Sequence, residues 1–480
     1  MEIKNLDKNK VFQYFEEISQ IPRGSKNEKQ ISDFLVNFAK ERNLNVVQDK
    51  AYNVIIKKPG TSGLENAPGV ILQGHMDMVN EKNDDHTHDF LKDPLDLYID
   101  GDFLKARGTT LGADNGVAVA MCMAILDGNY THPPLAMLIT TDEEAGMSGA
   151  KAVDPSLFQG YTSLINLDSG EEGEFTVSCA GGLRHSIEYN FKYTKVPAGY
   201  KGYALKVKGL QGGHSGGDIH LGLANSNRLM GRLLYAVLKQ GSSVLCDISG
   251  GLKVNAIPRE AQALIAIDPG FKDTFLKTVN DMETSFKGEY RETEPDLTIE
   301  INEVEAPAQA ISGHKAWGII SVLTLAPLGV SMANKKGETL VSNSIGVVTS
   351  APEKVTIEFL SRSAIYSQLK FMEEQISNLA NIANAQYIYN SGHAGWEYRE
   401  NSPIRDKCVA VYKEMYGKAP EITSTHGGLE CGILSDIMPN MDMISMGPNN
   451  YHLHTPKEQL SISSTIRVYE YLTTLLSKLG

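Results

Sequence analysis

Four apolar runs in this chain each stop at residues that bind metals or move protons. Val70-Ile71-Leu72-Gln73-Gly74 leads into His75 and Asp77, and Leu135–Thr140 leads into Asp142-Glu143-Glu144. Ser163–Leu167 leads into Asp168, and Met443–Met446 leads through Gly447-Pro448 to His452 and His454. Short apolar runs closed by a breaker or a polar cluster predict buried strands. Helical spacing alternates with them. Val11, Phe12, Phe15 and Ile18 form one face; Pro22 and Gly24 interrupt it; Ile31, Phe34, Leu35 and Phe38 resume it; Val117 to Leu126 forms a further apolar helix. Strands and helices in alternation predict an α/β fold, a mainly parallel sheet flanked by helices. The carboxyl ends of parallel strands share one edge in such a sheet, and functional groups gather there. Residues far apart along the chain can therefore meet.

Two further residues join the set. Asp77, two positions past His75 in an extended segment, can accept a hydrogen bond from the imidazole and so decide which ring nitrogen is left for a metal. Asp114, in Leu111-Gly112-Ala113-Asp114-Asn115-Gly116, opens the apolar helix, where a plain N-cap is the alternative role. The donor set is then two histidines and three carboxylates without cysteine, which suits zinc, or manganese or cobalt. One carboxylate shared by two ions ~3.5–4 Å apart would give each ion three protein ligands. Glu143, beside Glu144, is left over and placed to act as general base and then general acid.

At 480 residues the chain is long enough for two or more domains. The texture changes after about residue 186 and returns after about 392, which predicts a catalytic domain in two parts, 1–186 and 393–480, with 187–392 inserted as an α+β domain. Within the insert, Lys253–Ile257 with Ala263–Ile267 echoes Val341–Ile345 with Val355–Phe359, which predicts two related halves. A net charge of −13 argues against a nucleic-acid partner, which favours a basic surface. No apolar run reaches the ~18 residues of a membrane span. The five cysteines are scattered and form no CxxC pair; a reducing, cytoplasmic location is expected.

The motifs His75-Met76-Asp77-Met78-Val79, Gly112-Ala113-Asp114-Asn115-Gly116, Thr141-Asp142-Glu143-Glu144, Asn166-Leu167-Asp168-Ser169 and His454-Thr455-Pro456 together resemble those of the M20 metallopeptidases. His88–Pro94 and Thr425–Gly432 are similar to the aminoacyl-histidine (Xaa-His) dipeptidase subgroup in particular. The resemblance implies a dinuclear zinc dipeptidase with two Zn2+ per subunit, Mn2+ or Co2+ being possible substitutes, acting on small unblocked dipeptides. It implies His75 and Asp168 on one ion, Glu144 and His454 on the other, Asp114 bridging them, and a cis peptide at Asp114-Asn115. Asp77 would orient His75, and Glu143 would be the acid/base. The insert would be a lid. Its His214 would polarise the scissile carbonyl, Arg362 would hold the substrate carboxylate, and Asn255, in competition with Asn343, would assist. A homodimer is the expected assembly. An aminoacylase, a tripeptidase and a non-catalytic peptide binder are the alternatives.

Overall fold

The computed structural model describes residues 2–479. The chain divides into two compact units, residues 1–178, 398–424 and 429–480 in the first, and 179–397 with 425–428 in the second. The first strand of the second unit, Gly181–Asn190, begins ahead of the boundary expected at 186. The short segment 425–428, expected in the catalytic part, belongs instead to the second unit.

In the first unit the elements are α1 (Val11–Ser19), α2 (Lys29–Glu41), β1 (Asn45–Gln48), β2 (Val54–Lys58), β3 (Gly69–His75), α3 (Ala113–Asp127), β4 (Leu135–Thr140), β5 (Tyr161–Asn166), β6 (Glu174–Cys179), α4 (Pro403–Tyr416), β7 (Glu421–Thr425), α5 (Glu430–Ile437), β8 (Asp442–Ser445) and α6 (Ile462–Ser477). They build a mixed sheet in the order β1-β2-β4-β3-β5-β8-β6-β7. Its four central strands, β4, β3, β5 and β8, run parallel. Every residue of β3 and β4 is buried, as expected for parallel strands covered on both faces. Helix α3 is buried almost all round, from Val117 to Leu126; its sequence carries no polar stripe because it has no solvent face. α1, α2, α3 and α6 share one apolar core with the sheet through Phe12, Phe15, Leu35, Met121, Leu72 and Leu472.

A second, smaller sheet joins Leu97–Asp100, Phe103–Ala106, Gln459–Ser461 and Asn450–Tyr451. Its first hairpin closes through Gly101-Asp102, a two-residue signal of the tight-turn kind that the sequence offers and that the strand pattern above does not include. This sheet holds both ends of the loop that carries His454.

The second unit is α+β. Its main sheet runs Thr298–Val304, Lys201–Lys208, Ala261–Ile267, Ser243–Gly250, Thr339–Ala351, Lys354–Ser363, Gly181–Asn190, Gln386–His393. The order is mirrored about its centre. The hairpin Ser243–Gly250/Ala261–Ile267 on one side occupies the place of Thr339–Ala351/Lys354–Ser363 on the other, and the two meet antiparallel at Gly250 and Val348. Helices Ser226–Leu238, Lys272–Glu289, Gly313–Leu325 and Tyr366–Ile382 pack one core with the sheet through Leu233, Phe275, Ile320 and Ile376.

Candidate active site

The four parallel strands end side by side, and each hands over a chemistry-bearing segment. β3 ends at His75; β4 is followed by Glu143-Glu144, β5 by Asp168, and β8 by the loop to His454. Asp114 lies between them, and its two oxygens point to different histidines. Oδ1 is 3.2 Å from His75 Nε2, and Oδ2 is 3.2 Å from His454 Nε2. His75 Nε2 also lies 3.7 Å from Asp168 Oδ1, and His454 Nε2 lies 2.9 Å from Glu144 Oε1. The structure thus brings all five residues together as two half-sites that share Asp114. Within the cluster, His75, Asp114 and Glu144 offer ligand atoms that all lie within 4.8 Å of one another. Asp114 is not an N-cap: Gly112 takes that place with φ 65°, and Asp114 and Asn115 depart from helical geometry. The Asp114–Asn115 peptide bond is cis.

The electrostatics of the cluster follow from burial and proximity. Burial raises the Asp114 carboxyl, but its hydrogen bonds with His454 and His75 outweigh that and hold it well below the usual carboxylate range. His454 is drawn up to about 10 by Asp114 and Glu144. Burial opposes charge on His75, yet Asp168, Asp114 and Asp77 raise it well above the usual imidazole value. Burial pushes Asp168 up to about 7, with the charge of Asp114 adding. Glu143 is pushed well up, chiefly by burial, with Asp168, Glu430 and Glu144 adding and His75 opposing. Glu144 Oε1 is buried and accepts no hydrogen bond despite its closeness to His454. Imidazole nitrogens and carboxylate oxygens here meet lone pair to lone pair, which only a shared proton or a cation makes favourable. The all-nitrogen-and-oxygen donor set fits a pair of borderline or hard divalent cations.

Around this cluster stands a ring of supports. Asp77 backs His75: Nδ1 is 3.1 Å from the Asp77 main-chain oxygen and 3.3 Å from its Oδ1. The same carboxylate accepts the main-chain N–H of Glu143 at 3.0 Å, that of Glu144 at 3.3 Å and the Ser25 hydroxyl at 2.8 Å. Asp77 therefore places the acid/base candidate as well as the histidine. Asn115 accepts from the His75 N–H and donates to Leu167 O. The turn between α1 and α2, which in sequence reads only as a helix break at Pro22 and Gly24, supplies three props. The Arg23 guanidinium, 2% exposed, donates to Met76 O and Gly112 O; Ser25 reaches Asp77; and Glu28 accepts the N–H of Asp142 at 3.0 Å. Glu458, four residues past His454, accepts the N–H groups of Leu111, Gly112 and Asp114. Several residues that carry or flank the site, Asp142, Met147, His452 and His454, have positive φ without being glycine. Such backbone costs on the order of 1–3 kcal/mol each and persists where surrounding contacts over-determine it.

His214, Asn255 and Arg362 lie in the second unit. His214 sits not in a free glycine loop but in a two-residue strand paired with Ala256–Ile257. Its Nδ1 accepts the N–H groups of Gly216 and Gly217, so the ring proton belongs on Nε2. Arg362 is 7% exposed, unlike a surface arginine, and its Nε is buried without a partner. Burial, with the charge of Arg184, pulls it down to about 10, and among the described residues no carboxylate pairs with it. Asn343 is committed to the core: it accepts from Ser361 and donates to Pro327 O. Asn255 is half-buried, and its main-chain oxygen accepts from the Ser215 N–H.

A mixed sheet whose four central parallel strands end in paired histidine–carboxylate half-sites has the layout of a co-catalytic metal hydrolase. The family model described as Peptidase family M20/M25/M40 matches residues 71–478, and the chain belongs to this family of peptidases. It is 39% identical over 481 residues to the cytosol non-specific dipeptidase of Escherichia coli (strain K12), covering 100% of this chain and 99% of that one. Among solved structures it is similar to the aminoacylhistidine dipeptidase of Vibrio alginolyticus, with TM-score 0.91, 37% identity, and coverage of 100% and 98%. Human carnosine dipeptidase 1 shares the fold at TM-score 0.52 and 13% identity, with coverage of 99% and 98%.

Proposed function

We propose that this protein is a dinuclear zinc dipeptidase that hydrolyses unblocked dipeptides, Xaa-His among them. The observation that carries the reading is Asp114, whose two oxygens each face a different histidine, each histidine having its own further carboxylate. His75 and Asp168 would hold one cation, His454 and Glu144 the other, with Asp114 shared. When bound, the cations supply Lewis acidity toward the peptide carbonyl and acidify water. Glu143 takes the proton of the attacking water and passes it to the leaving amine; a carboxyl whose proton affinity is raised by burial suits both halves of that task. Asp77 holds the His75 ring and the Glu143 main chain in register. His214 donates its Nε2 proton to the developing oxyanion. Arg362 takes the substrate carboxylate, which is supported by its burial without a counter-ion.

The names of the two close relatives, one a non-specific dipeptidase and one an aminoacylhistidine dipeptidase, support a dipeptide substrate and leave histidine as one acceptable second residue. The similarity to a cytosolic dipeptidase, with all five cysteines buried as thiols, supports a cytoplasmic location.

The test is metal analysis together with hydrolysis of a His-ending dipeptide, a tripeptide and an N-acetyl amino acid by the same preparation. Two zinc ions per chain and a dipeptide preference are expected. Faster turnover of the tripeptide or the N-acetyl compound would move the assignment to a tripeptidase or an aminoacylase. Glu143→Ala is expected to keep its metal and lose about a hundredfold or more in kcat, the scale of a proton-transfer catalyst. Near-normal turnover at full metal content would remove Glu143 from that role.

A further inference from the structure

The Thr425–Gly432 segment stands out in the sequence, yet the mechanism above uses none of it. Glu430, the first residue of α5, is 1% exposed. Its Oε2 accepts two hydrogen bonds at 2.5 Å, from Gln73 Nε2 and from Thr140 Oγ1. Its Oε1 is buried and has no partner, and among the described residues no lysine or arginine pairs with it. Burying an unpaired carboxyl is costly, so two donors converging on one oxygen call for an explanation.

The donors stand at decisive points. Thr140 ends β4 just before Glu143 and Glu144, and it lies directly across from His75 in the parallel ladder. Gln73 is on β3 two residues before His75. The line continues from there. Gln73 Oε1 accepts from Asn166 Nδ2, at the end of β5. Asn166 Oδ1 accepts from the Asp168 N–H and from Ser445 Oγ, at the end of β8. Gln73, Thr140, Asn166 and Ser445 are all buried. One polar row thus crosses the ends of all four parallel strands, and Glu430 is the acceptor at which it terminates.

We propose that Glu430 is a positioning residue for the metal centre, acting through Gln73 and Thr140 to hold the ends of β3 and β4 where His75, Glu143 and Glu144 converge. The proposal rests on the metal-site reading above. Supports one step behind metal ligands typically cost 10–100-fold in metal affinity or activity when lost.

The test titrates zinc into the apo full chain by calorimetry for wild type, Glu430→Gln, Glu430→Leu and Thr140→Val, and measures kcat and KM on a dipeptide. Glu430→Gln keeps an acceptor oxygen for both donors and is expected within about threefold of wild type. Glu430→Leu keeps volume without an acceptor and is expected to lose about tenfold or more in zinc affinity, with kcat falling and KM nearly unchanged. Thr140→Val removes one donor at constant shape, and is expected to lose at least about threefold; it decides the matter if Glu430→Leu does not fold. Wild-type zinc affinity in Glu430→Leu or Thr140→Val overturns the proposal, as does a glutamine variant as damaged as the leucine one. A wild type that binds no zinc overturns the metal-site reading instead.

Discussion

Gly74 shows how a single residue serves the site. It follows an apolar run and looks like a strand breaker, but β3 continues through it to His75. A Cβ there would lie 2.4 Å from Asn115 Oδ1 and 2.7 Å from Ala118 Cβ. Asn115 cannot step aside cheaply, because it bonds both the His75 N–H and Leu167 O. Gly74→Ala is therefore expected to cost about 1–3 kcal/mol, the usual range for overpacking a tight core. It should also weaken zinc binding, since the His75 main chain loses its partner. Urea unfolding and zinc titration of the same variant check both effects; unchanged values in both would mean that Asn115 repacks freely. The local part of this arrangement was readable from residue order alone: an apolar run and the histidine that ends it are neighbours in the chain. The close approach of Asn115 was not, because that contact joins residues 74 and 115 through folding.

At the scale of elements, the site depends on segments whose sequences advertise nothing. The turn between α1 and α2 props Met76, Asp77, Gly112 and Asp142. Glu458 gathers three N–H groups around Asp114 and also accepts from Asn450 Nδ2. Glutamine at 458 offers one acceptor oxygen and turns an NH2 group toward main-chain donors. Each buried donor left unpaired costs about 1–3 kcal/mol. Glu458→Gln is thus expected to lower the thermal midpoint and to reduce zinc content, with added zinc restoring part of the activity. Full metal content and an unchanged midpoint would show that the Asp114 loop holds itself. Such supports escape a sequence reading for a physical reason. Every residue except proline has an N–H, so a side chain that accepts main-chain N–H groups imposes no pattern on its partners. The Leu97–Ala106 hairpin is different: its Gly101-Asp102 turn is a signal that sequence inspection could have used.

At the scale of the whole chain, two buried histidines make the second unit acid-sensitive. His185, buried in the second unit against Ser361, is pushed down to about 4 by burial. His426, hydrogen-bonded to Ser342, is pushed down to about 4 by burial and by the charge of Arg362. Both stay neutral in the folded chain at pH values where an unfolded histidine, near 6.5, takes up a proton. At these two positions the unfolded state then binds more protons, so their contribution to stability falls as pH drops from about 6.5 to about 4 and levels off below. Each histidine contributes up to about one decade of unfolding constant per pH unit. Urea unfolding of the full chain across this range is compared between wild type and His185→Gln, whose slopes against pH should differ by about one proton. A slope unchanged by that substitution would mean that His185 is not titrated by unfolding.

Residue order by itself determined the central strands and what each delivers: Leu135–Thr140 is a strand over those same residues, His75 closes its strand, and Glu143, Glu144 and Asp168 follow theirs within four residues. That information is local, carried by burial pattern and by the residue that breaks it. In the second unit the echo met the hairpins only in part: 263–267 and 355–359 lie in Ala261–Ile267 and Lys354–Ser363, and 341–345 lies in Thr339–Ala351, but 253–257 falls outside its counterpart Ser243–Gly250. Only the tertiary structure decided that Asp114 turns one oxygen to His75 and the other to His454. That depends on the order of strands in the sheet, on the small sheet that clamps residues 450–461, and on props from distant segments. Each of these is a hydrogen-bonded meeting of chain positions that have no neighbours in common until the chain has folded.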